Sequence, residues 1–429
     1  MGRTTKFWIA FAALAMLVAG TFSDAQAKDP VKIGILHSLS GTMAISEVSL
    51  RDAVLMAVEE INADGGVLGT QIEPVIVDPA SDWDLFAEKS KELLLEHEVS
   101  AVFGCWTSVS RKSVLPVFEE NEGLLFYPVQ YEGEESSKNV FYTGAAPNQQ
   151  AIPATDYMIE ELGVEKFALL GTDYVYPRTT NNILEAYLKD QGVADADIFV
   201  NYTPFGHSDW SKIVSDVVAL GADGKKVGVI STINGDANIG FYKELAAQGV
   251  SAEDIPVIAF SVGEEELSGL DTSNLVGHLA AWNYFQSADG EANEAFVAKW
   301  KEKMGGERVT NDPMEAHYIG FNMWAQAVEQ AGTTDVDAVR EAMYGQTFPN
   351  LTGSVAEMLP NHHLTKPVLI GEITEDGQFD ILTQTDPVPG DAWTDFLPES
   401  AMLTSDWKDL GCGMYNTQTE TCVQTKSNY

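Results

Sequence analysis

The sequence predicts an α/β protein built from doubly wound parallel sheets. From Val31 onward, short apolar segments alternate with amphipathic segments of helical spacing. Strands separated by helices in this way form βαβ units with right-handed crossovers. A chain of 429 residues also exceeds what one hydrophobic core usually organises, so we expect two lobes.

The first elements show this alternation clearly. Strands are predicted over Val31–His37 and Ile72–Val77, and helices over Ser46–Ala63 and Trp83–Glu96. The first helix is expected to end at Asp64–Gly66, because glycine commonly terminates helices.

A strand–loop–helix–strand–loop unit organises the next stretch, Val99–Gly133. One apolar strand ends at Gly104–Ser108, and the next, Leu124–Tyr127, ends at Pro128–Gly133. In open α/β sheets, ligands bind beyond the carboxyl ends of the strands. The two loops are therefore expected to face one crevice.

A Gly-, Ala- and Pro-containing segment, Val140–Pro147, is interpreted as a crossing to a second βα series. Gly277–Ser287 is predicted to cross back, and Asp376–Gly377 is a type I′ hairpin signal. The predicted first lobe comprises residues 28–146 and 285–348, and the second comprises 147–284 and 349–385. Residues 386–429 are left as an irregular C-terminal extension.

The N-terminus, residues 1–27, has the pattern of a secretory signal peptide. Two basic residues precede an apolar run over Phe7–Gly20, and Ala25–Ala27 is a small-residue cleavage signal. The run has 14 residues, fewer than the roughly 20 that span a membrane. We therefore expect an exported, periplasmic protein.

Composition narrows the classes of partner. The formal net charge of −39 argues against nucleic acid or an anionic membrane surface. Of the three cysteines, Cys412 and Cys422 are candidates for a disulfide, and Cys105 is expected in the core. Neither zinc motifs nor phosphate-loop or nucleophile-elbow motifs occur, so we expect no metal, no cofactor and no catalysis.

Several strand ends combine aromatic rings with polar groups, which suits a small, planar, uncharged polar ligand. The candidate ligand-binding residues are Trp106, Ser108, Tyr127, Gln130, Tyr131, Tyr174, Tyr176, Asn234, Asp236 and Tyr284.

Several of these residues have alternative structural roles. Trp106 and Tyr131 could be interface aromatics, and Ser108 could be only a helix N-cap. Tyr174 and Tyr176 alternate as strand-end residues do, so one of the two is expected at the site.

The charged and histidine residues carry alternatives as well. Asp236 is the leading carboxylate candidate, and Glu132 follows, with a salt bridge as its alternative role. Arg111–Lys112 and Arg178 are interpreted as surface or lobe-closing charges. His362–His363 is expected to be an exposed turn.

Seven ordered motifs resemble those of the type I periplasmic binding proteins of the branched-chain amino acid/amide class, and most of all those of urea ABC transporters. They are GCWTSVSRKSVLPVFE (Gly104–Glu119), LLFYPVQYEG (Leu124–Gly133), FYTGAAPNQQ (Phe141–Gln150), GTDYVYPR (Gly171–Arg178), NGDANIGFYKEL (Asn234–Leu245), GHLAAWNYFQS (Gly277–Ser287) and NDPMEAHYIG (Asn311–Gly320).

The resemblance implies a two-lobed, Venus-flytrap protein with three crossovers that delivers urea to the permease subunits and ATPases of an ABC importer. It also implies that the ligand lies near Trp106, Ser108, Tyr127, Gln130, Tyr174, Tyr176 and Asp236. We expect a monomer. The alternatives are a short-chain amide or branched-chain amino acid carrier of the same family, a secreted amidohydrolase, and, less favoured, a sensory ectodomain.

Overall fold

The computed structural model of the protein describes Met1, residues 29–269 and 271–396, and two short segments at 415–416 and 421–422. The rest of the predicted signal peptide and Cys412 lie outside these residues, and only the backbone of Cys422 is described. Within the described part of the chain, no helix combines the length and apolar character needed to cross a bilayer.

The first lobe is built on a five-stranded, wholly parallel sheet in the order β2-β1-β3-β4-β5. Its strands are β1 (Val31–Leu36), β2 (Ile72–Val77), β3 (Val102–Gly104), β4 (Leu125–Tyr127) and β5 (Val140–Tyr142). The helices between them are α1 (Ala44–Ala63), α2 (Trp83–Lys91) and α3 (Ser108–Glu120). α2 continues into a single π-helical turn, Glu92–Glu96, where the sequence predicts unbroken helix.

The second lobe repeats this alternation on a larger sheet. Its parallel strands are β6 (Lys166–Thr172), β7 (Ile198–Thr203), β8 (Val227–Thr232), β9 (Val257–Ala259) and β10 (Leu279–Trp282). Its helices are α4 (Ala151–Glu160), α5 (Val175–Asp190), α6 (Ser211–Leu220), α7 (Ala237–Ala247) and α8 (Glu264–Ser268).

The chain then returns to the first lobe. Three helices pack there, α9 (Glu291–Met304), α10 (Asp312–Ala331) and α11 (Val336–Met343), followed by the antiparallel pair β11 (Thr347–Pro349) and β12 (Val355–Glu357).

The last strands are β13 (Thr365–Lys366), β14 (Leu369–Ile373), β15 (Phe379–Gln384), β16 (Val388–Pro389), β17 (Tyr415–Asn416) and β18 (Thr421–Cys422). Of these, β14 and β15 belong to the second-lobe sheet, and the other four form two separate antiparallel pairs. β14 and β15 add antiparallel strands to give the order β15-β14-β10-β9-β8-β6-β7. The predicted α/β class with parallel sheets is confirmed, and the exact lobe boundaries stay a prediction.

The hairpin between β14 and β15 corrects one detail. A type I′ turn requires positive φ at both central residues. Gly377 has a φ of 73°, whereas Asp376 is not among the residues with positive φ. The Gly377 N–H donates to Thr374 O at 3.1 Å, as in a type I turn followed by a left-handed glycine. The predicted hairpin is present, but the predicted turn type is wrong.

One asparagine ties together the three crossings between the lobes. Asn283 lies on the second crossing, and its Nδ2 donates to Gln149 O on the first at 3.0 Å and to Pro367 O on the third at 2.7 Å. One planar amide binds carbonyl groups from two distant segments. These bonds fix the distances between the three crossings at the point where the chain passes between the lobes.

A buried ion cluster lies beside this amide. Lys366 is fully buried, and its Nζ lies 2.5 Å from Glu315 Oε2 and 3.8 Å from Asp312 Oδ2. Asp312 Oδ2 also accepts from the Asn283 backbone N–H at 2.9 Å. The cluster thus links α10 of the first lobe to the third crossing.

We expect Lys366→Met to lower the free energy of unfolding by about 3–5 kcal/mol, because it leaves two buried carboxylates without their cation. Guanidinium chloride denaturation measures the change. The matched control is Lys212→Met, which removes an exposed pair with Asp216 and should cost about 0–1 kcal/mol. Equal denaturation midpoints for the two variants would contradict a structural role for the cluster.

Candidate functional site

The geometry of the first loop begins at Cys105, which follows β3. Its N–H donates to Leu36 O at 2.9 Å, and its φ is +68°. This left-handed residue turns the chain from the sheet into Trp106 and α3. The Thr107 hydroxyl accepts from the Ser110 N–H at 3.1 Å. Thr107 is therefore the N-cap, and the alternative interpretation of Ser108 as the cap is wrong.

Ser108 instead faces a buried charge cluster centred on Arg111, one helical turn further along α3. Arg111 Nη1 donates to Ser108 Oγ at 3.0 Å, Nη2 to Glu132 Oε1 at 3.1 Å, and Nε to Glu135 Oε1 at 2.7 Å. Ser108 also donates to Glu132. Arg111 is fully buried, so its interpretation as a surface or lobe-closing charge is wrong.

Each carboxylate of this cluster is paired with at least one cation. Lys112 Nζ lies 2.6 Å from Glu135 Oε2. Burial by itself raises the pKa of Glu135, but the charges of Arg111 and Lys112 outweigh burial and hold that pKa at about 2. The carboxylate is therefore ionised at physiological pH, and it raises the pKa of Arg111 against the effect of burial.

Three tyrosine rings enclose the same guanidinium. Arg111 Cζ lies 4.6 Å from the ring centroid of Tyr127, 4.7 Å from that of Tyr131 and 5.9 Å from that of Tyr142. Ring faces attract cations. The Tyr131 hydroxyl lies 2.6 Å from His363 Nε2, so Tyr131 connects the loop after β4 to His363.

The histidine pair 362–363 is buried, and the expectation of an exposed turn is wrong. His362 stacks on Phe141 with ring centroids 4.1 Å apart, and its Nδ1 lies 2.8 Å from Val140 O. Burial lowers the pKa of His362 to about 3 and that of His363 to about 4. Both imidazoles are therefore neutral and serve as packing groups against the edge strand β5.

The second lobe closes the cleft from the opposite side. Gln130 Nε2 donates across to Ser261 Oγ, which follows β9, at 2.8 Å. Tyr174 and Tyr176 stand at the start of α5 with ring centroids 6.2 Å apart. They do not alternate along a strand, so the premise that only one can reach the site is wrong.

Two buried polar atoms, Trp106 Nε1 on the first-lobe side and Gln130 Oε1, have no hydrogen-bond partner among the described residues. The Tyr176 hydroxyl is also buried, and hydrogen bonding to Gln130 and Ser261 partly opposes the rise that burial causes in its pKa. An unpaired buried polar group costs about 1–3 kcal/mol, so each such atom is a candidate for a ligand contact. Burial raises the pKa of Tyr127, Tyr174 and Tyr176, and the charge of Glu132 adds to each rise.

Three predicted residues have no hydrogen bond or ring contact to the Arg111 cluster among the described residues. Asn234 Nδ2 donates to Thr232 O at 3.0 Å, and Tyr284 donates to Asn293 Oδ1 at 2.7 Å. Asp236 is exposed at the start of α7. The contact of all three with ligand stays a prediction.

The sequence interpretation missed Arg111, Glu135 and Ser261. Arg111 could have been found from Ser108, because residues three apart share one helix face. Ser261 comes directly after a predicted strand, where the same strand-end argument applies. Glu135 gives no comparable signal, since it lies in an irregular, buried loop.

Comparison with known proteins decides the family. A model of the periplasmic binding protein domain matches residues 31–399. The chain belongs to the periplasmic binding protein family. It is a periplasmic solute-binding protein of the kind that works with ABC permease subunits, and the predicted class is confirmed at this level.

The matches of this binding protein to curated relatives differ in how much of each chain they cover. The leucine-, isoleucine-, valine-, threonine- and alanine-binding protein of Pseudomonas aeruginosa is 26% identical over 353 residues, which cover 80% of this chain and 89% of that protein. The limonene hydroxylase of Geobacillus stearothermophilus is 34% identical over 134 residues, covering 31% of this chain and 24% of its own length. The family assignment therefore rests on the match over residues 31–399 and not on this short match.

Solved structures share the fold. The leucine-binding protein LivK of Thermotoga maritima superposes with a TM-score of 0.72 at 18% identity, covering 83% of this chain and 99% of that one. A solute-binding protein of Rhodopseudomonas palustris BisB5, in complex with 3,4-dihydroxybenzoic acid, superposes with a TM-score of 0.72 at 17% identity. The superposition covers 84% of this chain and 98% of that one. The predicted type I fold is confirmed.

Carboxylates also lie at another interlobe contact of the binding protein. Glu266 Oε1 on α8 accepts from Ser46 Oγ on α1 at 2.7 Å. Its neighbour Glu265 lies 3.6 Å from Arg308, which lies 3.6 Å from Asp52. Burial raises the pKa of Glu265 to about 7, although Arg308 opposes the shift, while Glu266 and Asp52 add to it.

We expect closure to weaken as pH rises from about 4.5, the ordinary pKa of an exposed Glu, to about 7. In that range Glu265 is protonated when the lobes are together and ionised when they part. The radius of gyration from small-angle scattering should therefore be larger at pH 8 than at pH 5.

Glu265→Gln should flatten this dependence, and Glu253→Gln, at an exposed position of the same lobe, should preserve it. A wild-type radius that does not change with pH would contradict the coupling.

Proposed function

We propose that this protein captures urea, or a closely related small neutral amide, between its lobes and delivers it to the permease subunits of an ABC importer. Family membership supports the transport role. The observation that carries the choice of ligand is that Trp106 Nε1 and Gln130 Oε1 are buried without a hydrogen-bond partner among the described residues, together with the buried Tyr176 hydroxyl.

The charge state of the cleft favours a neutral ligand. A bound carboxylate is ordinarily recognised by a cation whose donors are available. All three nitrogens of the Arg111 guanidinium already donate within the protein, and Lys112 pairs with Glu135. Amino acids and aromatic acids, which the named relatives bind, lack a comparable partner at these residues.

The chemistry of urea matches the groups that remain. Urea offers four N–H donors and one carbonyl oxygen, so its site needs mostly acceptors. Gln130 Oε1, the Tyr176 oxygen and the Glu132 carboxylate can accept, and Trp106 Nε1 can donate to the urea oxygen. The flat tyrosine and tryptophan rings complete a narrow pocket for a planar molecule.

Size sets the affinity that direct contacts can provide. The best very small ligands reach about −1.5 kcal/mol per heavy atom. The four heavy atoms of urea therefore contribute about −6 kcal/mol, or a Kd of tens of micromolar. Tighter binding requires contacts between the lobes that form only on closure.

Isothermal titration with urea, acetamide, formamide and leucine tests the proposal. We expect the largest heat with urea, weaker heats with the two amides and none with leucine. Binding of leucine without binding of urea would favour the branched-chain amino acid alternative. Ammonia release from urea by the purified protein, absent in a Trp106→Ala variant, would favour a secreted amidohydrolase.

We expect Trp106→Phe to weaken urea binding about fivefold to tenfold, because it removes one buried hydrogen-bond donor and keeps the aromatic ring. Trp324→Phe is the matched control: Trp324 Nε1 is also buried without a partner, but its ring packs against Phe103 in the first-lobe core. Titration calorimetry compares the two. Equal dissociation constants would remove Trp106 from the proposed site.

A further inference from the structure

Two aromatic side chains from opposite lobes meet beside the candidate site. Trp83 lies in the first turn of α2 in the first lobe, and Phe205 lies in the loop that follows β7 in the second lobe. Their ring centroids are 5.7 Å apart, with the planes inclined at 48°. This geometry is within the range of favourable aromatic contacts.

The contact continues inward to the cleft on one side and into the first lobe on the other. Phe205 lies 5.0 Å from Tyr174, which lies 6.2 Å from Tyr176. Trp83 stacks on Phe86 with centroids 6.1 Å apart. A chain of rings therefore runs from the Tyr176 hydroxyl across the lobe boundary to the core of the first lobe.

Phe205 belongs by sequence to the second lobe, but it packs against the hydrophobic cluster of the first. Pro204 precedes it, and Gly206 follows with a φ of +70°. Proline restricts the backbone, and glycine permits the left-handed turn. The loop thus presents one half-buried ring to the other lobe, and this contact is lost when the lobes separate.

We propose that Trp83 and Phe205 form an interlobe aromatic clasp that retains the ligand by slowing the reopening of the cleft. The inference rests on the proposed function for its probe, urea. A four-atom ligand makes few contacts of its own, so its residence time depends strongly on contacts between the lobes. Phe205 reaches the candidate site only through the ring of Tyr174, so the clasp acts on the reopening of the lobes.

Stopped-flow binding of urea tests the clasp. Phe205→Ala should raise the dissociation rate about fivefold to tenfold and change the association rate less than twofold, because the contact forms after the ligand has entered. Phe205→Tyr, which keeps the ring, should restore the slow dissociation.

A double-mutant cycle separates a direct contact from two independent effects. The Trp83→Ala, Phe205→Ala double variant should dissociate urea about as fast as either single variant, since each substitution alone breaks the same contact. If the dissociation rate of the double variant rises by the product of the two single effects, the clasp is overturned.

Phe199→Ala is the matched control. It removes a ring of the same size from β7, where Phe199 packs against the core of its own lobe. This variant should lower thermal stability without changing the dissociation rate. A faster rate equal to that of Phe205→Ala would show a general weakening of the second lobe and overturn the inference.

Failure of the proposed function can be distinguished from failure of the clasp. If the wild-type protein takes up no urea, that function fails, and small-angle scattering of the protein without added ligand decides the clasp. Phe205→Ala must then show a larger radius of gyration than Phe199→Ala, and equal radii would overturn it.

Discussion

The pairing of Arg111 with Glu132 and Glu135 is the interaction on which the cleft depends. Residues 128–137 are all buried, yet they form neither helix nor strand. A buried irregular segment must have its charges matched, because an isolated ion away from water is strongly unfavourable. One guanidinium on α3 holds this loop through two carboxylates, and three tyrosine rings exclude water around it.

The same pairing bears on the proposed choice of a neutral ligand. Arg111 orients Ser108 and Glu132, and three of its five guanidinium N–H groups already donate within the protein. One protein of this fold is named as a leucine-binding protein, and another was solved in complex with 3,4-dihydroxybenzoic acid. A shared fold therefore says little about the ligand, which must be argued from the residues of the site.

The two kinds of contact between the lobes differ in their consequences. At the crossings, Lys366 and Asn283 are fully buried and hold the connecting segments together. Away from the crossings, the lobes meet through buried hydrogen bonds such as that of Gln130 with Ser261, through the partly exposed Arg308 beside Glu265, and through the rings of Trp83 and Phe205. A buried ion pair is strongly unfavourable to break, whereas a neutral hydrogen bond or a partly exposed pair contributes about 0–1.5 kcal/mol. The contacts away from the crossings are therefore the weaker of the two kinds.

The sequence by itself determined the alternation of strands and helices, because that pattern depends on residues a few positions apart. It also located the two loops after β3 and β4, since parallel strands end at one edge of a sheet. Tertiary structure decided the rest. Arg111 meets Glu135 across 24 residues, and Gln130 meets Ser261 across 131. His362 and His363 are buried because β5 lies against them. Burial and charge pairing depend on such distant partners, which no local pattern records.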